Sequence, residues 1–167
     1  MKTKNIQRVA LVGGGVIGSG WATRCLAHGL SVVVTDPSPA AAEMVLKTVD
    51  SAWPILEEAG LGEKADRSKL EFAPDIETAV ADADFVQENV PEREDLKIAV
   101  HEEIGRHAKG DIVVASSSSG LLPSRLQSRC RRPERLVIGH PFAPVYLLPL
   151  VEVVGGEQTS LEFVRAA

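Results

Sequence analysis

Residues 9–20, Val-Ala-Leu-Val-Gly-Gly-Gly-Val-Ile-Gly-Ser-Gly, constrain the fold more than any other stretch. A short run of strand formers breaks into glycines and resumes with helix formers, which reads as strand, tight turn, helix. Gly13, Gly15 and Gly18 fit G-x-G-x-x-G. In that pattern the first glycine makes the turn, the second lets a pyrophosphate approach the backbone, and the third lets helix and strand pack closely. The free N–H groups at the start of the helix, Val16 and Ile17 among them, would face the phosphates, where the helix dipole favours negative charge.

Glycine-rich turns also occur for conformational reasons alone, so the surroundings decide the reading. The motif opens a helical segment over 16–28 and is followed by a second apolar run, Ser31-Val32-Val33-Val34-Thr35, ending in Asp36. That acid lies eighteen residues past Gly18, close to the spacing of the group that binds an adenosine ribose. Asp36 can accept from both ribose hydroxyls and would repel a 2′-phosphate, and Pro37-Ser38-Pro39 offers no arginine to reverse this. NAD is therefore expected over NADP. The plainer reading of Asp36 is an acidic turn or cap.

A chain of 167 residues with 44% hydrophobic and 25% charged residues is one globular domain's worth, so a single NAD-binding domain over 1–167 is expected. A net charge of −5 without a basic patch argues against nucleic acid and anionic membranes as partners. The longest apolar-looking stretch, 137–154, is interrupted by His140, Glu152 and prolines, so no membrane span is expected. The lead Met1-Lys2-Thr3-Lys4-Asn5 has no signal-peptide core, which makes a cytoplasmic protein the expectation. Cys25 and Cys130 lack metal-ligand spacing and read as reduced packing residues. No metal site is expected.

Strand and helix patterns alternate along most of the chain. After Asp36, Ser38 followed by Pro39 suggests an N-cap with proline at the first helical position, and a helix to about Ala52 that Trp53-Pro54 interrupts. A short helical piece then reaches Ala59, with Gly60 as its stop. Further strands are expected over 70–72, 84–88, 111–115, 135–140 and 150–154, with helices over 74–81, 91–107 and 123–130 and a helical start at Thr159. This order implies an α/β, Rossmann-like, doubly wound and mostly parallel sheet with ligands at the carboxyl ends of its strands.

His140 ends an apolar strand and Glu152 sits inside another, twelve residues later. The proline-rich segment between them would let the chain double back and join the two. An imidazole oriented by a carboxylate is a general acid/base suited to removing a hydroxyl proton. From the pattern alone, the better reading is an exposed edge-strand glutamate and an unrelated histidine. Ser116 to Ser119 follow a strand at the ligand-binding edge, where a hydroxyl would bind nicotinamide ribose or a substrate oxygen, or cap the next helix. Glu88 and Asn89 end the fourth strand at the same edge and are cofactor candidates, while His28, His101 and His107 read as solvated or packed helix residues.

Taken together, 13–20, Phe85-Val86-Gln87-Glu88, Pro91-Glu92-Arg93, Ser119-Gly120-Leu121-Leu122-Pro123-Ser124, Gly139-His140-Pro141-Phe142 and 146–154 resemble the 3-hydroxyacyl-CoA dehydrogenase superfamily, and its carnitine branch in particular. The resemblance implies that His140 is the catalytic base, that Glu152 orients it, and that Ser119 contacts the substrate hydroxyl near the nicotinamide. It implies hydride transfer from L-carnitine to NAD, giving 3-dehydrocarnitine. Where the family commonly has asparagine in His-Pro-Phe-Asn-Pro, Ala143 stands, which implies a lost hydrogen bond. The chain stops at Ala167, before the family's helical C-terminal domain, with which a homodimer is expected. An acyl-CoA substrate is the nearest rival, but residues 40–61 carry only Lys47 against Glu43, Asp50, Glu57 and Glu58 and would repel CoA phosphates. A quaternary ammonium favours aromatic faces, and Phe142 and Tyr146 are the aromatics next to the base. A non-catalytic NAD-binding module is the remaining alternative.

Overall fold

The computed structural model describes residues 5–167, so residues 1–4 of the polar N-terminal lead lie outside it. The strands are β1 (Arg8–Val12), β2 (Ser31–Thr35), β3 (Leu70–Phe72), β4 (Phe85–Glu88), β5 (Val113–Ser116), β6 (Leu136–Pro141) and β7 (Val151–Gly155). The helices are α1 (Val16–Ala27), α2 (Ala41–Ala59), α3 (Ile76–Val80), α4 (Glu94–His107), α5 (Pro123–Leu126) and α6 (Leu161–Ala166). The strands form one sheet in the order β3-β2-β1-β4-β5-β6-β7, parallel except for β7, which runs antiparallel to β6.

Alternation along the strands sends successive side chains to opposite faces, and each face carries its own helices. Val9, Leu11, Val32 and Val34 bury against residues of α1 and α2, including Leu26, Val45, Val49 and Trp53. Ala10, Val12, Val33, Val86 and Val114 bury against Val80 of α3 and Val100 and Ile104 of α4. Strands covered on both faces read as continuous apolar runs, as β1 and β2 do. The order reverses between β1 and β4, and at such a switch point the connections depart to opposite faces and leave a crevice.

Three expectations change. Pro54 does not divide its segment: α2 runs unbroken from Ala41–Ala59 with the proline inside. Its ring points outward while the neighbouring Trp53 and Leu56 are buried, so core contacts hold the helix across the hydrogen bond that proline removes. Ser38 is not the N-cap of α2; that position is Ala40, and Ser38 instead donates its N–H to Asp36 Oδ1 at 2.8 Å. The segment after Leu122 is helical only over Pro123–Leu126 and tightens into a 3₁₀ turn, Gln127–Arg129. Among the described residues no helix is long and apolar enough to cross a membrane. Both cysteines are free; burial pushes the Cys25 thiol up to about 12 and that of Cys130 up to about 11, which leaves both unreactive at neutral pH.

Candidate active site

A cleft of about 950 Å³ lies at the carboxyl ends of β1, β4 and β5. Gly13, Gly15, Val16, Ile17 and Asp36 line one part of it, and Ser119 and His140 another. The three motif glycines differ in what they do. Gly13 adopts φ of +102°, and a Cβ there would lie 2.8 Å from the Asn89 backbone. A Cβ on Gly18 would lie 1.9 Å from the Gly13 carbonyl oxygen, so α1 can approach β1 this closely only without a side chain. A Cβ on Gly15 would meet nothing within 4 Å and would simply occupy the cleft at the start of α1. Turn, close packing and open approach are thus divided among them as the motif requires.

Asp36 follows β2 at the rim. Its Oδ2 accepts from Gly14 N and its Oδ1 from Ser38 N, each at 2.8 Å. These bonds fix the carboxylate in the cleft wall and leave further lone pairs on both oxygens able to accept.

His140 is the fifth residue of β6, and the antiparallel register sets Glu152 of β7 directly opposite it. His140 Nδ1 lies 2.9 Å from Glu152 Oε2, which leaves Nε2 as the nitrogen not engaged by the carboxylate. The Glu152 side chain is 59% exposed, and Leu150 and Val154 on the same face are exposed as well. The carboxylate is therefore a solvent-facing partner of the histidine rather than a buried charge. Phe142 packs with its centroid 5.5 Å from the His140 ring. Tyr146 does not share that position, because it packs against the α1 and α2 core. The segment between β6 and β7 is seated on α1, where Gly20 leaves room for Val145 and Arg24 Nη1 donates to the Tyr146 carbonyl at 3.4 Å.

The four serines after β5 have separate duties. Ser116 Oγ donates to Glu88 Oε2 at 2.5 Å, Ser117 Oγ to Asn89 Oδ1 at 2.7 Å, and Ser118 Oγ to Glu92 Oε1 at 2.6 Å. Glu92 Oε1 also accepts from Ser119 N and Gly120 N, both at 3.0 Å. That carboxylate folds the serine turn and holds Ser119 at the exposed mouth of the cleft. Burial acts to raise the Glu92 carboxyl, but Ser118, the backbone N–H groups and Lys97 outweigh it and hold it below the ordinary range.

Glu88 is not in the wall of the cleft. Its side chain is fully buried beneath it, with Lys97 Nζ 2.6 Å from Oε1 and His101 Nε2 3.2 Å from Oε2. The histidine is within ion-pair reach, although its ring nitrogens make no well-aligned hydrogen bond. Burial acts to raise the Glu88 carboxyl, and His101 and Lys97 more than reverse this and hold it low. The sequence offered Glu88 as a cofactor candidate; its side chain lies beneath the cleft with the equally buried Lys97, whereas Glu92, partly exposed and given no role by the sequence pattern, lines the cleft. Lys97, His101 and Ile104 recur at helical spacing on the buried side of α4, and that spacing was the signal available.

Residues 8–167 match the family described as 3-hydroxyacyl-CoA dehydrogenase, NAD binding domain. The chain belongs to this family. NAD is accordingly its cofactor, and the open start of α1 at Gly15 together with the anchored Asp36 carboxylate fits that group. The L-carnitine dehydrogenase of Burkholderia mallei is 56% identical over 162 residues, 97% of this chain and 50% of that protein. The L-carnitine dehydrogenase of Pseudomonas putida is 53% identical over 162 residues, with the same two shares, 97% and 50%. Among solved structures, 5-formyl-3-hydroxy-2-methylpyridine 4-carboxylic acid 5-dehydrogenase, an NAD-dependent dismutase, superposes with a TM-score of 0.88 at 35% identity over 96% of this chain and 52% of that one. The chain spans about half the length of the curated relatives it matches.

Proposed function

We propose that this chain is the cofactor-binding part of an NAD-dependent dehydrogenase that oxidises the 3-hydroxyl of L-carnitine to the ketone, 3-dehydrocarnitine. The observation that carries the reading is the His140–Glu152 pair, 2.9 Å apart beside the cleft that the glycine turn opens. The similarity to L-carnitine dehydrogenases at 56% and 53% identity supports the substrate.

When bound, NAD supplies the acceptor for the hydride. Gly13, Gly15, Val16, Ile17, Gly18 and Asp36 are the residues that would hold it. His140 takes the hydroxyl proton on Nε2, since Nδ1 faces Glu152. Glu152 selects that tautomer and stabilises the imidazolium as the proton arrives. Ser119, held at the mouth by Glu92, offers its hydroxyl to the substrate oxygen. These roles need a secondary alcohol and a hydride acceptor in one cleft and no metal.

Charge favours carnitine over an acyl-CoA. α2 carries Lys47 against Glu43, Asp50, Glu57 and Glu58, and an acidic helix repels CoA phosphates. Phe142, 37% exposed and beside His140, presents an aromatic face to a quaternary ammonium. Further contacts to that group, and a homodimer, are expected only once the chain is extended to the full length of the curated relatives, of which it spans about half. A panel of L-carnitine and 3-hydroxybutyryl-CoA, each with NAD and NADP, on this chain and on a version completed with that half, tests the reading. NADH formed from L-carnitine by the completed enzyme is the expected result, and preferential oxidation of the acyl-CoA contradicts it. This chain by itself, spanning about half the length of the curated relatives, is expected to bind NAD and turn carnitine over poorly.

A further inference from the structure

Gln87 is buried to 3% exposure in the middle of the sheet, where its neighbours in register are Leu11 of β1 and Ala115 of β5. An apolar side chain would fill that row without needing partners, whereas a buried amide costs free energy unless its hydrogen bonds are made. Gln87 makes them in one direction. Nε2 donates to the Gly139 carbonyl at 3.0 Å and to Ser117 Oγ at 2.7 Å. Ser117 Oγ donates onward to Asn89 Oδ1, and Asn89 Nδ2 donates to the Gln87 backbone carbonyl at 3.0 Å.

Both ends of this network are backbone carbonyls, which only accept. The amide nitrogen of Gln87 must therefore face Gly139, that of Asn89 must face Gln87, and the single proton of Ser117 goes to Asn89. Asn89 is itself fixed: its N–H donates to the Val12 carbonyl at 2.7 Å, and its backbone closes the space over Gly13. At the other end the anchored carbonyl belongs to the residue that precedes His140. The register of β5 with β6 stops at Ser116 opposite Ile138, while β7 continues beside Gly139 and His140. Past Ile138, then, β7 holds β6 from one side and Gln87 reaches it across the end of β5.

We propose that Gln87 is a positioning residue for His140. By anchoring the Gly139 carbonyl it sets the peptide from which the imidazole projects, and so keeps Nδ1 on Glu152 and Nε2 free. Through Ser117 and Asn89 it ties that orientation to the turn that holds the cofactor. The proposal rests on the reading of His140 and Glu152 as the acid-base pair.

The test is the ring ¹⁵N spectrum of His140 at alkaline pH in this chain, assigned by its loss in His140→Gln. The unsubstituted chain should show a single Nδ1–H tautomer. Gln87→Met fills nearly the same volume without a donor and should show a mixture of tautomers, with NAD affinity within about twofold. In the enzyme completed with its second half, kcat should fall about tenfold with KM little changed, as expected of misplaced catalytic geometry. Should Gln87→Met fail to fold, Gln87→Glu serves: its carboxylate can accept from Ser117 but cannot donate to Gly139, and the same mixture is expected. A single tautomer retained in either folded variant overturns the proposal. A mixture already present in the unsubstituted chain overturns the pair reading itself, so the two failures are distinguishable.

Discussion

At the scale of single residues, the glycine motif separates into two positions that shape the fold, Gly13 and Gly18, and one, Gly15, that faces the open cleft. Gly18→Ala puts a methyl group into the Gly13 carbonyl and should destabilise the chain by about 1–3 kcal/mol, the usual result of overpacking. Gly15→Ala meets no protein atom and should leave stability unchanged while weakening NAD by about tenfold or more, or roughly 1.4 kcal/mol. Urea unfolding and NAD titration of the two variants check this. Equal losses of stability would contradict the division of labour. These roles were legible in the sequence because backbone geometry and steric contact are local properties of a turn. The duties of Gln87 and Glu92 were not. Each reaches a group far along the chain, Gly139 for the one and Ser118 to Gly120 for the other, and such contacts exist only once the strand order is set.

At the scale of elements, α4 carries the chain's most demanding electrostatics. Lys97 and Glu88 are both essentially inaccessible and 2.6 Å apart. Removing one partner strands the other, so Lys97→Met should cost about 3–5 kcal/mol in urea unfolding. The Glu88→Gln/Lys97→Met double variant should cost less than the sum of the two single changes, and simple additivity would contradict direct pairing. The pH dependence has a definite sign. The native Glu88 carboxyl is held below its ordinary value by His101 and Lys97 against the effect of burial. Its contribution to stability is therefore present above the ordinary carboxylate range and lost as pH falls through that range toward the lowered native value. Unfolding midpoints followed into acid should decline less steeply for Glu88→Gln than for the unsubstituted chain; parallel declines would contradict the assignment. Periodicity located α4 but left His101 as solvated or packed and gave Lys97 no role, because residue type alone does not show which polar side chains face a buried carboxylate. α2 departed from expectation for a related reason: the core contacts of Trp53 and Leu56 outweigh a local helix breaker.

At the scale of the whole molecule, two distant parts of the chain meet at one edge of the sheet. The first strand and helix supply the cofactor turn, and the β6–β7 hairpin supplies the His140–Glu152 pair, with the segment between its strands seated on α1 at Gly20. The alternation of strands and helices made the doubly wound sheet legible, while the pairing of His140 with Glu152 depended on β7 turning back antiparallel, which spacing alone left open. The most direct measurement is L-carnitine-dependent NADH formation by the enzyme completed with its second half, compared with its His140→Ala variant. The account predicts turnover in the former and a loss of about 10²–10⁴-fold in kcat in the latter, with NAD affinity nearly unchanged. Substantial residual activity in His140→Ala would remove that residue from the role of base and contradict the account.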